Sequence, residues 1–262
     1  KPALGCTGPI GVCFCAAQAY DAIGGDIINI EVKTDWGFGC KIDDVSFPGT
    51  EMLGAEMAVA LGAVCGDPNA GLEVLHQVSP ECELRARQVA EKVKIEPQWD
   101  RENLELFVDI KVITDLGYGR AVVQVTSDGL VKKERNGEVI FEKEPAPSAQ
   151  SATSPILKYG IKDFFSFAET CPIEKLEITN DSIRYNTALA KEALENNLGA
   201  GIGYHLFHKN EASLASRAKA WAAAGCEARM AGVMLPAMSC GNKGNVGIAS
   251  TLPLISIAKD LE

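Results

Sequence analysis

The sequence predicts an α+β fold, with a mainly helical body into which a small antiparallel sheet is inserted. Two observations support this prediction. Apolar residues at helical spacing, many of them small, dominate both ends of the chain. Between them lie short segments that alternate apolar and polar residues, separated by turn signals such as Asn136-Gly137. The predicted organisation is a helical part over residues 1–93, an inserted sheet over 94–150 and a second helical part over 151–262.

The N-terminal part begins with a tight turn, GCTGP, in which Thr7 can cap the following helix. Residues 10–22 are almost wholly apolar, so we expect that helix to be buried. Gly24-Gly25 ends it, and the alternating residues 26–34 predict a strand. Further helices are predicted over 52–65, 70–78 and 81–93.

The later segments are predicted in the same way. Strands are expected over 94–97, 104–114, 119–127, 130–135 and 138–142, followed by a Pro/Ser/Ala linker over 144–154. Helices are expected over 155–169, 173–197 and 211–225, then a Gly/Asn-rich loop over 239–248 and a last helix over 250–261.

Composition excludes several classes of protein. The 262 residues are 47% apolar, far above a disordered chain, and the net charge of −10 argues against a nucleic-acid partner. No apolar run is long enough to span a membrane. Nine cysteines without a secretory signal favour a reducing cytoplasm. Because the chain opens on Lys1 and closes within a helical pattern, we expect the protein to continue past residue 262.

Cys6 is the first candidate for chemistry. A thiol just before a helix N-terminus feels the positive end of the helix dipole, which favours the thiolate. It could act as a base, a nucleophile or a metal ligand, or be a small buried residue in a tight turn. Cys13 and Cys15 lie inside the apolar helix and are interpreted as packing residues, as are the other cysteines.

The loop over 239–248 (SCGNKGNVGI) is the second candidate. Its glycines and asparagines can turn backbone N–H groups inward around an anion such as a carboxylate, although an ordinary helix–helix loop fits the composition equally well. Arg229 could clamp that carboxylate or be a surface ion-pair residue. His205 and His208 form an H-x-x-H pair without an evident third ligand, so solvated or core histidines are favoured over zinc, and no metal-ligand set is identified.

Several motifs together resemble the L-cysteine desulfidase family, also called serine dehydratase-like proteins. The opening KPALGCTGP is similar to the family's KPALGCTEP, and Ser239 closes a block, LPAMS, that the family shares. Its other shared segments in this chain are VSFPGTEMLG (45–54), NAGLEVL (69–75), RYNTAL (184–189), ARM (228–230) and GNVGI (244–248).

The resemblance implies a lyase that eliminates H₂S from L-cysteine, or water from L-serine, with relatives among the α chains of iron–sulfur L-serine dehydratases. Cys6 matches the family's proton acceptor; Thr7, Arg229, Ser239 and Asn245 would bind the substrate. It further implies a [4Fe–4S] cluster whose cysteine ligands lie beyond residue 262, or on a separate cluster-bearing subunit, in a soluble cytoplasmic protein that could be a homo-oligomer. Gly8 and Val246 depart from the family's glutamate and glutamine, so a catalytically inactive binding or regulatory relative is the alternative.

Overall fold

The computed structural model describes residues 2–3, 7–35, 45–47, 50, 52–98, 106–147, 155–209, 213–240 and 243–261. No helix within these ranges is long and apolar enough to cross a bilayer. The helices are α1 (Thr7–Asp21), α2 (Ala55–Cys65), α3 (Pro80–Ala90), α4 (Ile161–Thr170), α5 (Glu177–Asn196), α6 (Ile202–Phe207), α7 (Leu214–Met230) and α8 (Gly244–Leu261). The strands are β1 (Pro2–Ala3), β2 (Ile27–Asp35), β3 (Val93–Gln98), β4 (Phe107–Thr114), β5 (Gly117–Gln124), β6 (Leu130–Arg135), β7 (Glu138–Glu142) and β8 (Ala237–Met238).

The main sheet has six strands in the order β3-β2-β4-β5-β6-β7, which confirms the α+β class. It is mixed rather than antiparallel throughout, because β2 runs parallel to β3 while the other neighbours are antiparallel. The reason is the connection: α2 and α3 lie between β2 and β3, and a helical crossover returns the chain in the same direction. A strand from the N-terminal part therefore lies inside the sheet.

One hydrophobic core lies between this sheet, α1 and α2. Cys13 and Cys15 are fully buried in it, as predicted, and the Cys15 thiol donates to the carbonyl oxygen of Ala121 in β5 at 3.3 Å. Burial raises the pKa of both thiols well above the ordinary range, so they stay protonated. Both cysteines are packing residues, and the hydrogen bond of Cys15 links α1 to the sheet.

Gly62 is where α2 packs most closely on α1. A Cβ added there would overlap the backbone of Cys13. We expect Gly62→Ala to lower the free energy of unfolding by about 1–3 kcal/mol, because the backbone of α1 has to move. The control is Gly160→Ala, where the nearest atom to an added Cβ is 3.8 Å away. Equal stability of the two variants in urea denaturation would contradict this close packing.

A second core is formed by α5, α7 and α8. Its central side chains include Leu189, Ala224, Ile248 and Leu252, none of them measurably exposed. The two-stranded pair β1–β8 lies at its edge, with Pro2 opposite Met238 and Ala3 opposite Ala237. This pairing brings the start of the chain to the second core, about 235 residues away in sequence.

The three largest differences between the predicted helices and the structure concern a helix end or the helix type. Residues 70–78 contain a short 3-10 helix, Gly71–Glu73, and turns. The helix expected from residue 155 is divided into a 3-10 turn, Pro155–Lys158, and α4, since the Asp163 carboxylate accepts the Gly160 N–H at 2.7 Å and fixes a new N-terminus. The third, α8, begins at Gly244 instead of near residue 250.

The interpretation of every cysteine except Cys6 as a packing residue is wrong for Cys65 and Cys82. They are joined as a disulfide, with Cα atoms 5.7 Å apart, and they connect the C-terminal end of α2 to the first turn of α3. Ser79 caps α3 by accepting the Cys82 N–H at 3.2 Å, so the helix start that presents Cys82 is itself fixed.

Candidate functional site

The candidate site lies where β8, the end of α7 and the start of α8 meet. Cys6 is outside the described residues, but the segments on both sides of it are placed: Ala3 pairs with Ala237, and α1 begins at Thr7. The side chain of Thr7 is likewise outside the description. Ala3, the described residue that precedes Cys6, thus lies opposite a residue two positions before Ser239.

Arg229 and Asn245 are in direct contact. Arg229 lies in the last turn of α7 and is 3% exposed, and its Nη1 donates to Oδ1 of Asn245 in the first turn of α8 at 2.9 Å. Gly244 makes this approach possible, because a Cβ there would lie 2.6 Å from Nε of Arg229. The surface ion-pair interpretation of Arg229 is therefore wrong, since the guanidinium is buried against a helix N-terminus.

Ser239 follows β8 directly and is half-buried. Gly247 of α8 packs on this segment so closely that an added Cβ would overlap the carbonyl oxygen of Met238 and lie 3.0 Å from the amide nitrogen of Cys240. The expected loop over 239–248 is thus partly wrong: its second half is helical. Packing overrides the low helix propensity of the two glycines, because each leaves room for a neighbour that a side chain would displace.

The electrostatics of this arrangement favour an anion. The N-terminal turn of α8 has backbone N–H groups without intrahelical partners and the positive end of the helix dipole. The guanidinium of Arg229 adds a full positive charge beside it. A helix N-terminus next to a buried arginine is suited to a carboxylate, which can accept from both.

Asn186 is a residue of this region that sequence analysis does not select. It is fully buried in α5; its Oδ1 accepts the Met238 N–H at 3.0 Å, and its Nδ2 donates to Thr251 Oγ1 in α8 at 3.0 Å. Asn186 therefore connects three elements of the site. The available signal was a polar residue at a core position of an amphipathic helix, within the shared RYNTAL segment.

A turn from the N-terminal half packs on the end of α7. The Ser46 N–H donates to the carbonyl oxygen of Met230 at 3.3 Å. The hydroxyl of Thr50 donates to the Phe47 carbonyl oxygen at 3.1 Å and accepts the Met52 N–H at 3.2 Å. The described residues 45–47, at the start of the shared VSFPGTEMLG segment, thus lie next to the helix that carries Arg229.

The histidine pair does not form a metal site with the residues described. His205 and His208 are exposed at the end of α6, and the ring of His208 contacts the Tyr204 carbonyl oxygen at 2.9 Å. Across the described ranges, no group of three or more His, Cys, Asp or Glu side chains could hold a metal ion.

The described cysteines do not fit a [4Fe–4S] cluster either. Such a cluster needs three or four converging thiolates. Cys13 and Cys15 are buried in the first core. The described thiols outside that core lie on separate elements: Cys171 follows α4, Cys226 lies within α7 and Cys240 follows β8. In the part of the chain that the structure describes, these cysteines therefore do not form a set of cluster ligands.

A cavity of about 330 Å³ lies elsewhere, on the open face of the main sheet. Its charged side chains already satisfy one another: Arg120 donates to both oxygens of Asp109 at 2.8 Å and to Glu134 at 3.0 Å. Lys132 also pairs with Glu134, at 2.7 Å. The hydrogen bonds from Lys132 and Arg120, that from Lys132 most of all, hold the pKa of Glu134 below its usual range. We interpret this ion network as part of the sheet's stabilisation rather than as a reaction site.

The fold and this site define an α+β protein with an anion-favouring site at a helix N-terminus. The chain belongs to the serine dehydratase alpha chain family, whose model matches residues 69–262. It is 33% identical over 264 residues to a UPF0597 protein of Clostridium botulinum strain Langeland (98% of this chain, 61% of the relative). It is 32% identical to one of Clostridium tetani (100% and 62%) and 34% identical to one of Vibrio parahaemolyticus (99% and 63%).

The chain thus spans slightly more than three fifths of the length of these relatives. No solved structure matches it significantly.

Proposed function

We propose that the protein is a lyase that eliminates the β-substituent of a small amino acid. With L-cysteine and water the products are pyruvate, ammonia and hydrogen sulfide; with L-serine they are pyruvate and ammonia. The observation that carries this proposal is the buried contact between Arg229 and Asn245 at the start of α8, beside the strand pair that leads to Cys6. Membership of the serine dehydratase alpha chain family supports it.

In this proposal the substrate carboxylate lies between the Arg229 guanidinium and the N-terminal N–H groups of α8. Ser239, Asn245 and Thr7 provide further hydrogen bonds around it. Because the carboxylate is held, the position of Cα is fixed, and its hydrogen can be oriented toward the base.

Cys6, as thiolate, would take the proton from Cα. The electron pair of that C–H bond forms the Cα–Cβ double bond, and the pair of the Cβ–S or Cβ–O bond leaves with sulfur or oxygen. The leaving group takes the proton from Cys6 and departs as H₂S or water, which restores the thiolate. The aminoacrylate that results gains a proton at Cβ and loses one from nitrogen to become an imine. Water hydrolyses the imine to pyruvate and ammonia, which balances the reaction.

The iron–sulfur part of the proposal rests on the family, whose members typically carry a cluster. Because the described thiols do not fit one, its ligands would come from other residues of the full-length protein or from a separate subunit. A cytoplasmic location belongs to the proposal as well, together with assembly either as a homo-oligomer or with a separate cluster-bearing subunit.

A second candidate function is binding without turnover. It is favoured by Gly8 and Val246, which stand where the family pattern has glutamate and glutamine. Val246 follows Asn245 in the first turn of α8 and is 47% exposed, so an apolar side chain replaces an amide at the edge of the site. Such a change could leave carboxylate binding intact and remove a group that the reaction needs.

Anaerobic reconstitution of the full-length protein separates the two functions. We expect bound iron and sulfide, and release of pyruvate from L-cysteine or L-serine. A protein that holds no iron and turns over neither amino acid, yet binds one of them in calorimetry, would overturn the lyase proposal in favour of a binding protein.

A further inference from the structure

The disulfide between Cys65 and Cys82 lies beside an open cavity of about 150 Å³. Both cysteines are partly exposed. Cys82 lines the cavity together with Ser79, Glu81 and Arg85, so a small molecule can approach it from solvent. Exposed disulfides are the ones that exchange with small thiols and disulfides, whereas buried ones are protected.

The two cysteines lie at opposite ends of helix dipoles. Cys65 is the last residue of α2, and Cys82 is the third residue of α3. The negative end of the α2 dipole opposes a thiolate at Cys65, whereas the positive end of the α3 dipole favours one at Cys82. In the reduced pair, Cys82 is therefore the better nucleophile. A stabilised thiolate also stabilises the reduced pair, which makes the disulfide easier to reduce.

Two charged side chains of the cavity act on Cys82 in opposite directions. Arg85 lies about one turn further along α3, where its positive charge favours a thiolate at Cys82. Glu81 precedes Cys82, and its carboxylate disfavours that thiolate. Side chains three apart on a helix are neighbours and adjacent ones are not, so we expect Arg85 to have the larger effect.

The first turn of α3 depends on the disulfide for its attachment. Helix α2 is anchored by the buried residues 58–63. The buried residues of α3, Ala86 and Val89, both lie in its second half. Cys65 and Cys82 are 17 residues apart in sequence, and a disulfide restricts the conformations of the segment that it closes. Its reduction should therefore release the first turn of α3 while α2 stays in the core.

We propose that Cys65 and Cys82 form a thiol–disulfide exchange site for small-molecule disulfides, and that its oxidation state controls the attachment of α3. The Cys82 thiolate attacks one sulfur of the small disulfide, whose S–S bond breaks and whose other half leaves as a thiolate. Cys65 then loses its proton, attacks Sγ of Cys82 and displaces the second half.

This exchange is balanced in atoms and electrons. Two protein thiols lose two electrons and two protons and become one disulfide. The small disulfide gains both and becomes two thiols, so no further oxidant is needed. The reverse sequence, begun by a small thiol, reduces the pair again. The inference is independent of the proposed lyase activity.

The first test equilibrates the full-length protein with a series of mixtures of reduced and oxidised glutathione. Alkylation and peptide mass mapping then give the fraction of Cys65 and Cys82 that is reduced. We expect the pair to change from dithiol to disulfide within the series. A pair that stays joined in reduced glutathione alone, or that stays reduced in oxidised glutathione alone, would overturn the proposal.

Hydrogen exchange at the two ends of this series tests the attachment of α3. We expect the amides of its first turn to exchange at least about tenfold faster in the dithiol state, because the link to α2 is then absent. The amides of residues 58–63 in α2 are the internal control and should not change. The double variant Cys65→Ser/Cys82→Ser should exchange fast in both mixtures. Equal exchange of the wild-type first turn in both states would overturn the control of α3.

Single variants test which thiol attacks, because a mixed disulfide with glutathione persists when its partner cysteine is absent. We expect Cys82 in Cys65→Ser to react with oxidised glutathione about fivefold faster than Cys65 in Cys82→Ser, given the opposite helix dipoles. Both rates are followed by peptide mass mapping, which separates these sites from other thiols. A rate at Cys65 that equals or exceeds the rate at Cys82 would reject the proposed roles.

Charge variants in the Cys65→Ser background test the electrostatic argument. Arg85→Gln should slow the reaction of Cys82 by about two- to threefold, and Glu81→Gln should accelerate it. Arg87→Gln is the matched control, since Arg87 pairs with Glu83 at 3.0 Å and lies on another side of α3 from Cys82. It should leave the rate unchanged. A rate that responds equally to Arg85→Gln and Arg87→Gln would reject Arg85 as the group that favours the thiolate.

Discussion

Turnover of L-cysteine or L-serine is expected to fall by about two to four orders of magnitude when Cys6 is replaced by alanine, because the proposed base is removed. The full-length protein should keep its iron content and its affinity for the amino acid. Cys13 and Cys15 cannot replace Cys6 as the base, since burial in the core keeps both thiols protonated.

The matched control is Cys171→Ala, which removes a half-buried thiol that follows α4. It should leave turnover unchanged. Full activity of Cys6→Ala would remove Cys6 from the reaction. A parallel loss of iron and activity would instead assign Cys6 a structural role. Exchange of the substrate α-hydrogen with deuterium from solvent gives a further readout, since a missing base should stop the exchange.

Local patterns account for what could be predicted of the fold. The strands predicted from the alternating segments and the Asn136-Gly137 turn coincide with β6 and β7. A hairpin is predictable because its two strands and its turn are adjacent in sequence. The position of β2 between β3 and β4 was not predictable in this way. Strand order depends on pairing between distant segments, and the alternation of β2 is the same whichever neighbour it has.

The candidate site was predictable in residues but not in contacts. Arg229 and Asn245 were both selected, but a spacing of sixteen residues does not reveal that a buried guanidinium reaches the next helix's first turn. The same limit applies to Cys65 and Cys82, whose proximity depends on how α2 packs on α3.

The two glycines of GNVGI show why a motif can be needed for packing and for chemistry together. Gly244 leaves room for the Arg229 guanidinium, and Gly247 leaves room for the backbone of β8. Both therefore set where the N-terminus of α8 lies relative to Ser239. The anion-favouring geometry is a consequence of close backbone contacts that only glycine allows.

Asn186→Leu is expected to destabilise the second core by about 2–4 kcal/mol. Leucine has a similar size but can neither accept the Met238 N–H nor donate to Thr251, so buried polar groups of β8 and α8 lose their partner. Each unsatisfied buried group costs about 1–3 kcal/mol. Because β8 pairs with β1, the loss should also loosen the segment that leads to Cys6.

Asn196→Leu is the matched control, since it makes the same substitution at the exposed end of α5, where Asn196 donates to Glu192 at 2.8 Å. It should change stability by no more than about 0.5 kcal/mol. Urea denaturation measures both variants, and hydrogen exchange of the Met238 amide reports the site directly. If the amide stayed protected in Asn186→Leu, Asn186 would not be what holds β8 to α5. Protection lost there but kept in Asn196→Leu would show that one buried amide fixes the edge of the site against the helical core.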